Sequence, residues 1–277
     1  MKILGVSLGT KNGNNDTMCR VALEAAKEKG AEIEFIHLLD WDIQYCSGCV
    51  ACSRGLVMGK GMICSRQDDF KAFYEKVVEA DGVLFVDPIF ESGATGLYHS
   101  ITDRMGPGHD TGMMMMLDGK LKEAGKEGLN PRYFRQKALS FVGIGGSDWA
   151  VRCETDHAMF ALSPGWKVVN NEFFSWCKDV IMQDDKVERM KEIGRNLADA
   201  AQQIIDEDMQ IEGSEKTSLW KGKEGACPHC QGNNFYIYPG TTHCVCELCG
   251  LEGTLEIVDG AFKFKYDPAT EHHAHDI

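Results

Sequence analysis

The chain has 277 residues, 43% hydrophobic and 26% charged, the balance of a globular protein with room for one substantial core and a small appendage. No apolar run approaches the roughly 20 residues needed to span a bilayer, which excludes a membrane helix. A formal net charge of −13 repels phosphate backbones and anionic lipid surfaces, so nucleic acid and membrane are set aside as partners.

The elements alternate from the first residues onward. Residues 2–8, KILGVSL, read as a short apolar strand, too short an apolar segment for a signal peptide, and the loop GTKNGNND follows. Met18, Val21, Ala22 and Ala25 recur at helical spacing and the glycine of EKG stops that helix. A second strand, EIEFIHLL (32–39), runs into a cysteine loop at 45–65, after which Phe70, Phe73, Val77 and Val78 mark another helix. The unit then repeats: strand 82–90, helix 95–105, strand 137–146, helix 152–162, strand 166–174 and a long helix at 184–208. Five strands alternating with helices predict a doubly wound α/β domain over 1–208 with a parallel sheet covered on both faces. Residues 105–136 fit no element of this rhythm and read as an insertion over one edge. A polar, glycine-bearing linker is expected at 209–225, then a small cysteine-rich unit at 226–266 and a histidine-bearing tail at 267–277.

Ligands of such sheets bind outside the carboxyl ends of the strands. Three loops converge there. SLGTKNGNNDT (7–17) offers hydroxyls, amides and glycine-freed N–H groups at a helix N-terminus, a fit for a phosphate monoester; it matches neither the P-loop nor the dinucleotide pattern. DPIFESGATG (87–96) brings Pro88 and Phe90, and GIGGSDW (143–149) brings glycines that permit close approach. A planar cofactor with a phosphate tail suits all three.

The twelve cysteines fall largely into CxxC pairs, which point to metal ligation in a reducing compartment, the cytoplasm. Cys46, Cys49 and Cys52 are spaced CxxCxxC, and eleven residues separate Cys52 from Cys64, a pattern that suits a [4Fe–4S] cluster and leaves open a zinc site or a metal-free loop. Cys227, Cys230, Cys246 and Cys249 read C-x2-C-x15-C-x2-C, the spacing of a structural zinc ribbon. Two lysines against four carboxylates over 226–266 make a nucleic-acid surface a poor reading of that ribbon, and docking, dimerising or covering a site a better one. Cys19, Cys153 and Cys177 read as small core hydrophobes, and the Met113–Met116 run as an adaptable apolar surface over a cofactor or a subunit contact. Among the lone histidines, His109 in MGPGHD is the candidate proton donor, folding back over the ring.

The combination GVSLGTKNGNNDT, CSGCVAC with its later cysteine and DD, ADGVLFVDPIF with ITDR, and GIGG resembles the NAD(P)H-dependent FMN reductase-like branch of the flavodoxin superfamily, most of all its iron–sulfur flavoproteins, over about residues 2–205. The resemblance implies a flavodoxin-like fold with FMN bound by Ser7, Gly9, Thr10, Asn15 and Thr17 at the phosphate, Pro88, Ile89 and Phe90 along the ring, and Gly145 and Gly146 on its far side. It implies an oxidoreductase passing electrons between NAD(P)H or a ferredoxin-like donor and an acceptor, in a homo-oligomer. The alternatives are a cluster-free NAD(P)H-dependent FMN or quinone reductase, and a non-enzymatic electron carrier or ribbon-tethered interaction module. The chain departs from the family pattern at Lys11, where an arginine clamp is usual, at Asp16, whose carboxylate would compete with the phosphate for helix amides, and at Glu91, where an aromatic is usual.

Overall fold

The computed structural model describes residues 1–58, 64–214 and 217–267. Part of the cysteine loop (59–63), two residues of the expected linker (215 and 216) and all but the first residue of the tail, with its histidines, lie outside that description.

Five parallel strands, β1 (Lys2–Ser7), β2 (Glu32–His37), β3 (Gly82–Pro88), β4 (Ala138–Ile144) and β5 (Lys167–Phe174), form one sheet in the order β2-β1-β3-β4-β5. Each was expected within two residues of its bounds. The sheet is buried on both faces, so its strands are near-continuous apolar runs split by side-chain alternation. In β3, Leu84 and Val86 face the layer of α1 (Asn14–Glu28) and α7 (Asp184–Asp206), while Val83 and Phe85 face α3 (Phe70–Glu79), α4 (Gly96–Met105) and α6 (Cys153–Leu162). Phe85 stacks on Phe141 at 5.7 Å between centroids and meets Phe160 at 4.8 Å, so one strand residue ties β4 and α6 to the sheet. Burying each such ring contributes about 1.5–3 kcal/mol. On the other face a Cβ at Gly194 would collide with the Ala22 carbonyl, so the glycine is what lets α7 lie against α1.

Two expected boundaries change. The 105–136 insertion contains a helix, α5 (Thr111–Glu123), capped by Asp110, whose carboxylate accepts from Met113 N at 2.9 Å. Its four consecutive methionines hide the helical period that marks the other helices. The 209–225 segment is no free linker: Ile211 and Leu219 are buried, Gln136 Nε2 donates to Ser214 Oγ at 3.0 Å, and Lys221 N donates to Val169 O at 2.7 Å. Its few apolar residues suffice to lay it along the domain. The short helix α2 (Ala51–Val57) sits inside the cysteine loop.

The C-terminal unit is a separate antiparallel sheet of β6 (Phe235–Ile237), β7 (His243–Cys246), β8 (Glu252–Val258) and β9 (Ala261–Lys265), in that order. It docks on α6. Ala158 packs with Cys227, Cys246, Leu248, Cys249 and Leu251, Asn234 Nδ2 donates to Val151 O and Thr155 Oγ1, and Lys223 pairs with Glu154 at 3.1 Å. Among the described residues no helix is long and apolar enough to cross a membrane.

Candidate functional site

The strand order reverses at β1, and in sheets of this kind ligands bind beside the carboxyl ends of the strands at that point, here β1 and β3. The loop leaving β1 enters α1, whose first-turn amides have no partner within the helix. Asn15 is buried, and its Nδ2 has no hydrogen-bond partner. A buried orphan donor at a helix N-terminus fits a phosphate oxygen. Gly9 lies against Asn15, with a Cβ there only 2.5 Å from Asn15 Oδ1, so the loop closes on that amide only with glycine.

Two residues expected at the phosphate are committed elsewhere. Ser7 Oγ donates to Asp16 Oδ1 at 2.6 Å and Thr17 Oγ1 donates to Gly13 O at 2.9 Å, so neither hydroxyl proton is free for a phosphate. Asp16 also accepts from Asn12 N at 2.7 Å and sits 2.9 Å from His37 Nδ1. Burial alone would raise the Asp16 pKa, but the hydrogen bonds from Ser7, His37 and Asn12 outweigh it and hold the carboxyl below its usual range. Asp16 thus takes the amide of Asn12. Thr10 and Lys11 are exposed, Lys11 paired with Asp40 at 2.7 Å.

If this loop holds the phosphate of the FMN that the resemblance implies, the Asn15→Leu variant is expected to bind FMN about 10–100-fold more weakly, the loss of one hydrogen bond to a charged group, read by isothermal titration of the flavin-free protein.

The 88–95 loop carries Pro88, Ile89 and Phe90 and is fastened from below. Asp87, fully buried, accepts from Thr95 N at 2.8 Å and Thr95 Oγ1 at 2.7 Å, and lies 3.2 Å from His157 Nε2. Cys153 Sγ lies 3.6 Å from His157 Nδ1. Burial would lower the His157 pKa, but Cys153 and Asp87 on its two nitrogens raise it to about 10. The loop's far end is held by Asp156, which accepts from Ala94 N at 3.0 Å, and by Arg152 N donating to Ser92 O at 3.0 Å. These ties keep Glu91 and Ser92 at φ of 48° and 65°, a left-handed backbone that non-glycine residues adopt rarely.

Ile89 N donates to Ile144 O, Gly145 N to Phe174 O, and Cys177 N to Gly145 O, which sews the loops after β3, β4 and β5 together. Gly145 is buried and Gly146 exposed. The loop after β5 is also bound to the phosphate loop, since Asn14 Nδ2 donates to the carbonyls of Cys177 and Lys178. On these three loops Phe90, Trp149 and Trp176 are 63%, 60% and 62% exposed, and Trp176 holds a left-handed φ of 59°. The sequence alone did not single out either tryptophan, Trp149 lying inside the quoted GIGGSDW; an aromatic in a loop that follows a strand of a parallel sheet is the signal that would have found them.

His109 is not at this edge. It is fully buried, with Nδ1 2.8 Å from the Tyr74 hydroxyl and its ring against Trp166, and burial lowers its pKa to about 4. It is a packing residue, and the expectation that it folds over the ring is corrected.

Of the two cysteine sets, the second converges. The sulfurs of Cys227, Cys230, Cys246 and Cys249 all lie within 4.8 Å of one another, with Cys227–Cys249 at 3.7 Å and Cys230–Cys246 at 3.5 Å. Four sulfurs gathered this closely are the donor set a tetrahedral metal binds as thiolates. Among the described residues the first set is not gathered in this way. Cys49 Sγ lies 3.0 Å from Ser65 Oγ, which lowers its pKa to about 7, Cys52 is on α2, and Cys64 Sγ accepts from Arg104 Nη2 at 3.1 Å. Arg104, itself buried, also bonds Asp68 and Gln44 O, so one guanidinium ties both ends of that loop.

Residues 1–179 match the sequence profile described as NADPH-dependent FMN reductase. A solved flavone reductase is 39% identical, covering 97% of this chain and 82% of that one, with a TM-score of 0.80. The flavone synthase cfoJ of Aspergillus candidus is 27% identical over 286 residues, 98% of this chain and 83% of that protein. An iron–sulfur flavoprotein of Archaeoglobus fulgidus is 29% identical over 150 residues, 54% of this chain, and the match spans 64% of that protein's length.

Proposed function

Because the chain belongs to the NADPH-dependent FMN reductase family, we propose that it is an FMN-dependent oxidoreductase that uses NAD(P)H to reduce the conjugated carbon–carbon double bond of a flat aromatic enone of the flavone class. The observation that carries the reading is the likeness along nearly the whole chain to a flavone reductase, which the exposed aromatics at the sheet edge support. The net reaction takes one hydride from NAD(P)H and one proton from water, adds both across the double bond and leaves NAD(P)+.

Bound at this edge, FMN would supply a reversible two-electron carrier between the two substrates. The chain's own contribution is placement. The first-turn amides of α1 and Asn15 Nδ2 would hold the phosphate, and Gly9, Thr10 and Lys11 would shape the loop around it. Pro88, Ile89 and Phe90 would lie along the ring; Gly145, expected on its far side, packs against Ile89 instead, which leaves the exposed Gly146 as the glycine open to a ligand. Phe90, Trp149 and Trp176 offer faces on which a second flat molecule stacks and from which water is displaced.

The test is anaerobic. NADPH should bleach the bound flavin, flavone should restore its colour, and the product should be two mass units heavier. A folded sample that takes up no FMN ends the proposal; restoration by quinones but not by flavones selects the quinone reductase instead.

Trp176→Gly is expected to lower kcat/KM for the flat substrate about tenfold, the worth of one aromatic stack, with NADPH-driven bleaching intact. The same change should raise stability by roughly 0.5–1 kcal/mol, since relief of left-handed strain exceeds the added glycine entropy. Steady-state kinetics and thermal melting read the two effects.

One metal centre belongs to the same reading. The Cys227, Cys230, Cys246 and Cys249 quartet fits a structural zinc ion. A second reading adds a [4Fe–4S] cluster on Cys46, Cys49, Cys52 and Cys64, favoured by the CxxCxxC spacing and by relatives named iron–sulfur flavoproteins. It would make the protein a converter between hydride donors and single-electron partners of ferredoxin type. Iron and acid-labile sulfide measured on protein purified without oxygen decide it, and light scattering tests the expected homo-oligomer.

A further inference from the structure

At the opposite edge of the sheet from the flavin loops lies a cavity of about 560 Å³, within the range of small-molecule sites. The seven residues of β4, at about 3.3 Å each, put roughly 20 Å between the two edges. Met113 and Met116 of α5, Leu162 at the end of α6, Trp166, Leu219 and the ribbon's Leu248 make its wall largely apolar. The space opens to solvent past Met116, as a small-molecule site must to admit its ligand.

Two wall residues show what chemistry it wants. Gln136 is 2% exposed, and its Nε2 donates to Gly165 O at 2.9 Å and to Ser214 Oγ at 3.0 Å. Ser214 Oγ spends its own proton on Ile211 O, which fixes the orientation of the Gln136 amide and leaves Oε1 as a buried acceptor with no donor. Trp166 is 4% exposed, and its Nε1 is a buried donor with no acceptor. Charged groups of the wall are Asp110, Lys167 and Glu212, one negative on balance, which disfavours an anion.

We propose that this cavity is a second small-molecule site, distinct from the flavin edge, for a neutral hydroxylated aromatic molecule of the phenol class. Its rings fill the space among the methionines and Trp166, and its hydroxyl and ether or ketone oxygens satisfy Gln136 Oε1 and Trp166 Nε1. Because Cys230 and Leu248 form part of the wall, the site exists only while the cysteine-rich unit is docked.

Isothermal titration of the full FMN-loaded chain with 2-naphthol, neutral at pH 7, tests this, with naphthalene as the ligand lacking the hydroxyl. Naphthalene should bind at least tenfold more weakly. Met116→Trp, which fills the cavity from a half-exposed position, and Gln136→Leu, which removes the acceptor, should each weaken 2-naphthol at least tenfold while flavin content and NADPH-driven bleaching stay unchanged. Should Gln136→Leu fail to fold, Met116→Trp alone decides. Unaltered 2-naphthol binding in Met116→Trp, or binding abolished by Trp176→Gly, would place the ligand at the flavin edge and overturn the proposal.

Discussion

Asp87→Ala is expected to destabilise the protein by about 3–5 kcal/mol, the cost of leaving one member of a buried ion pair without its partner. Asp87 and His157 are fully buried, and removing the carboxylate strands the His157 proton together with Thr95 N and Thr95 Oγ1. Asp87→Asn keeps an acceptor for Thr95 and should cost less, and the double variant Asp87→Asn/His157→Gln should cost less than the sum of the two singles, because no charge is then left unpaired. Urea denaturation measures all four. The sign of the pH dependence follows from a folded-state pKa raised from 6.5 to about 10. The stabilisation is whole below pH 6.5, declines as pH rises from there, and is gone above about pH 10. A flat stability profile between pH 7 and 10 would show that His157 is neutral. Since the pair fastens the 88–95 loop, FMN affinity should fall with stability in Asp87→Ala.

The second large effect concerns the cysteine quartet. If the quartet holds the proposed zinc ion, Cys246→Ser should reduce bound zinc from about one per chain to near none, removing a contribution that in small zinc domains reaches roughly 10–16 kcal/mol. Hydrogen exchange should then show lost protection over 226–266. It should also show lost protection over 150–158, because Val151, Glu154, Thr155 and Ala158 are contacts of that unit. Protection of β1, β3 and β4, whose partners lie wholly within the main sheet, should persist. Intact protection at 150–158 in the zinc-free variant would refute the coupling.

Much of this molecule could be read from local pattern. The five strands stand out because apolar runs are punctuated by glycine, aspartate and asparagine, and the ribbon because CxxC spacing has few physical uses. The placement of candidate ligand loops followed from the parallel order alone. What local pattern does not carry is pairing between distant residues. His37 lies 21 residues from Asp16, and His157 lies 70 from Asp87, yet these contacts decide that Ser7 faces a carboxylate and that the 88–95 loop is braced. The helix at Thr111–Glu123 was hidden because methionine at four successive positions gives no amphipathic period. The segment after α7 looked like a spacer by composition, and only the groove beside β5 reveals that Ile211 and Leu219 have a place to go. His109 read as reactive from its glycine-rich setting, whereas Tyr74 and Trp166, far off in sequence, enclose it.

One ten-residue helix, α6, is gripped from both sides. Arg152, Asp156 and His157 reach toward the 88–95 loop, and Glu154, Thr155 and Ala158 reach toward the ribbon. The two lobes therefore cannot be traded like beads on a string: grafting another lobe in place of 226–266 would succeed only if it reproduced those three footholds. A chimera built without regard to that shared spine should come out of the cell pale.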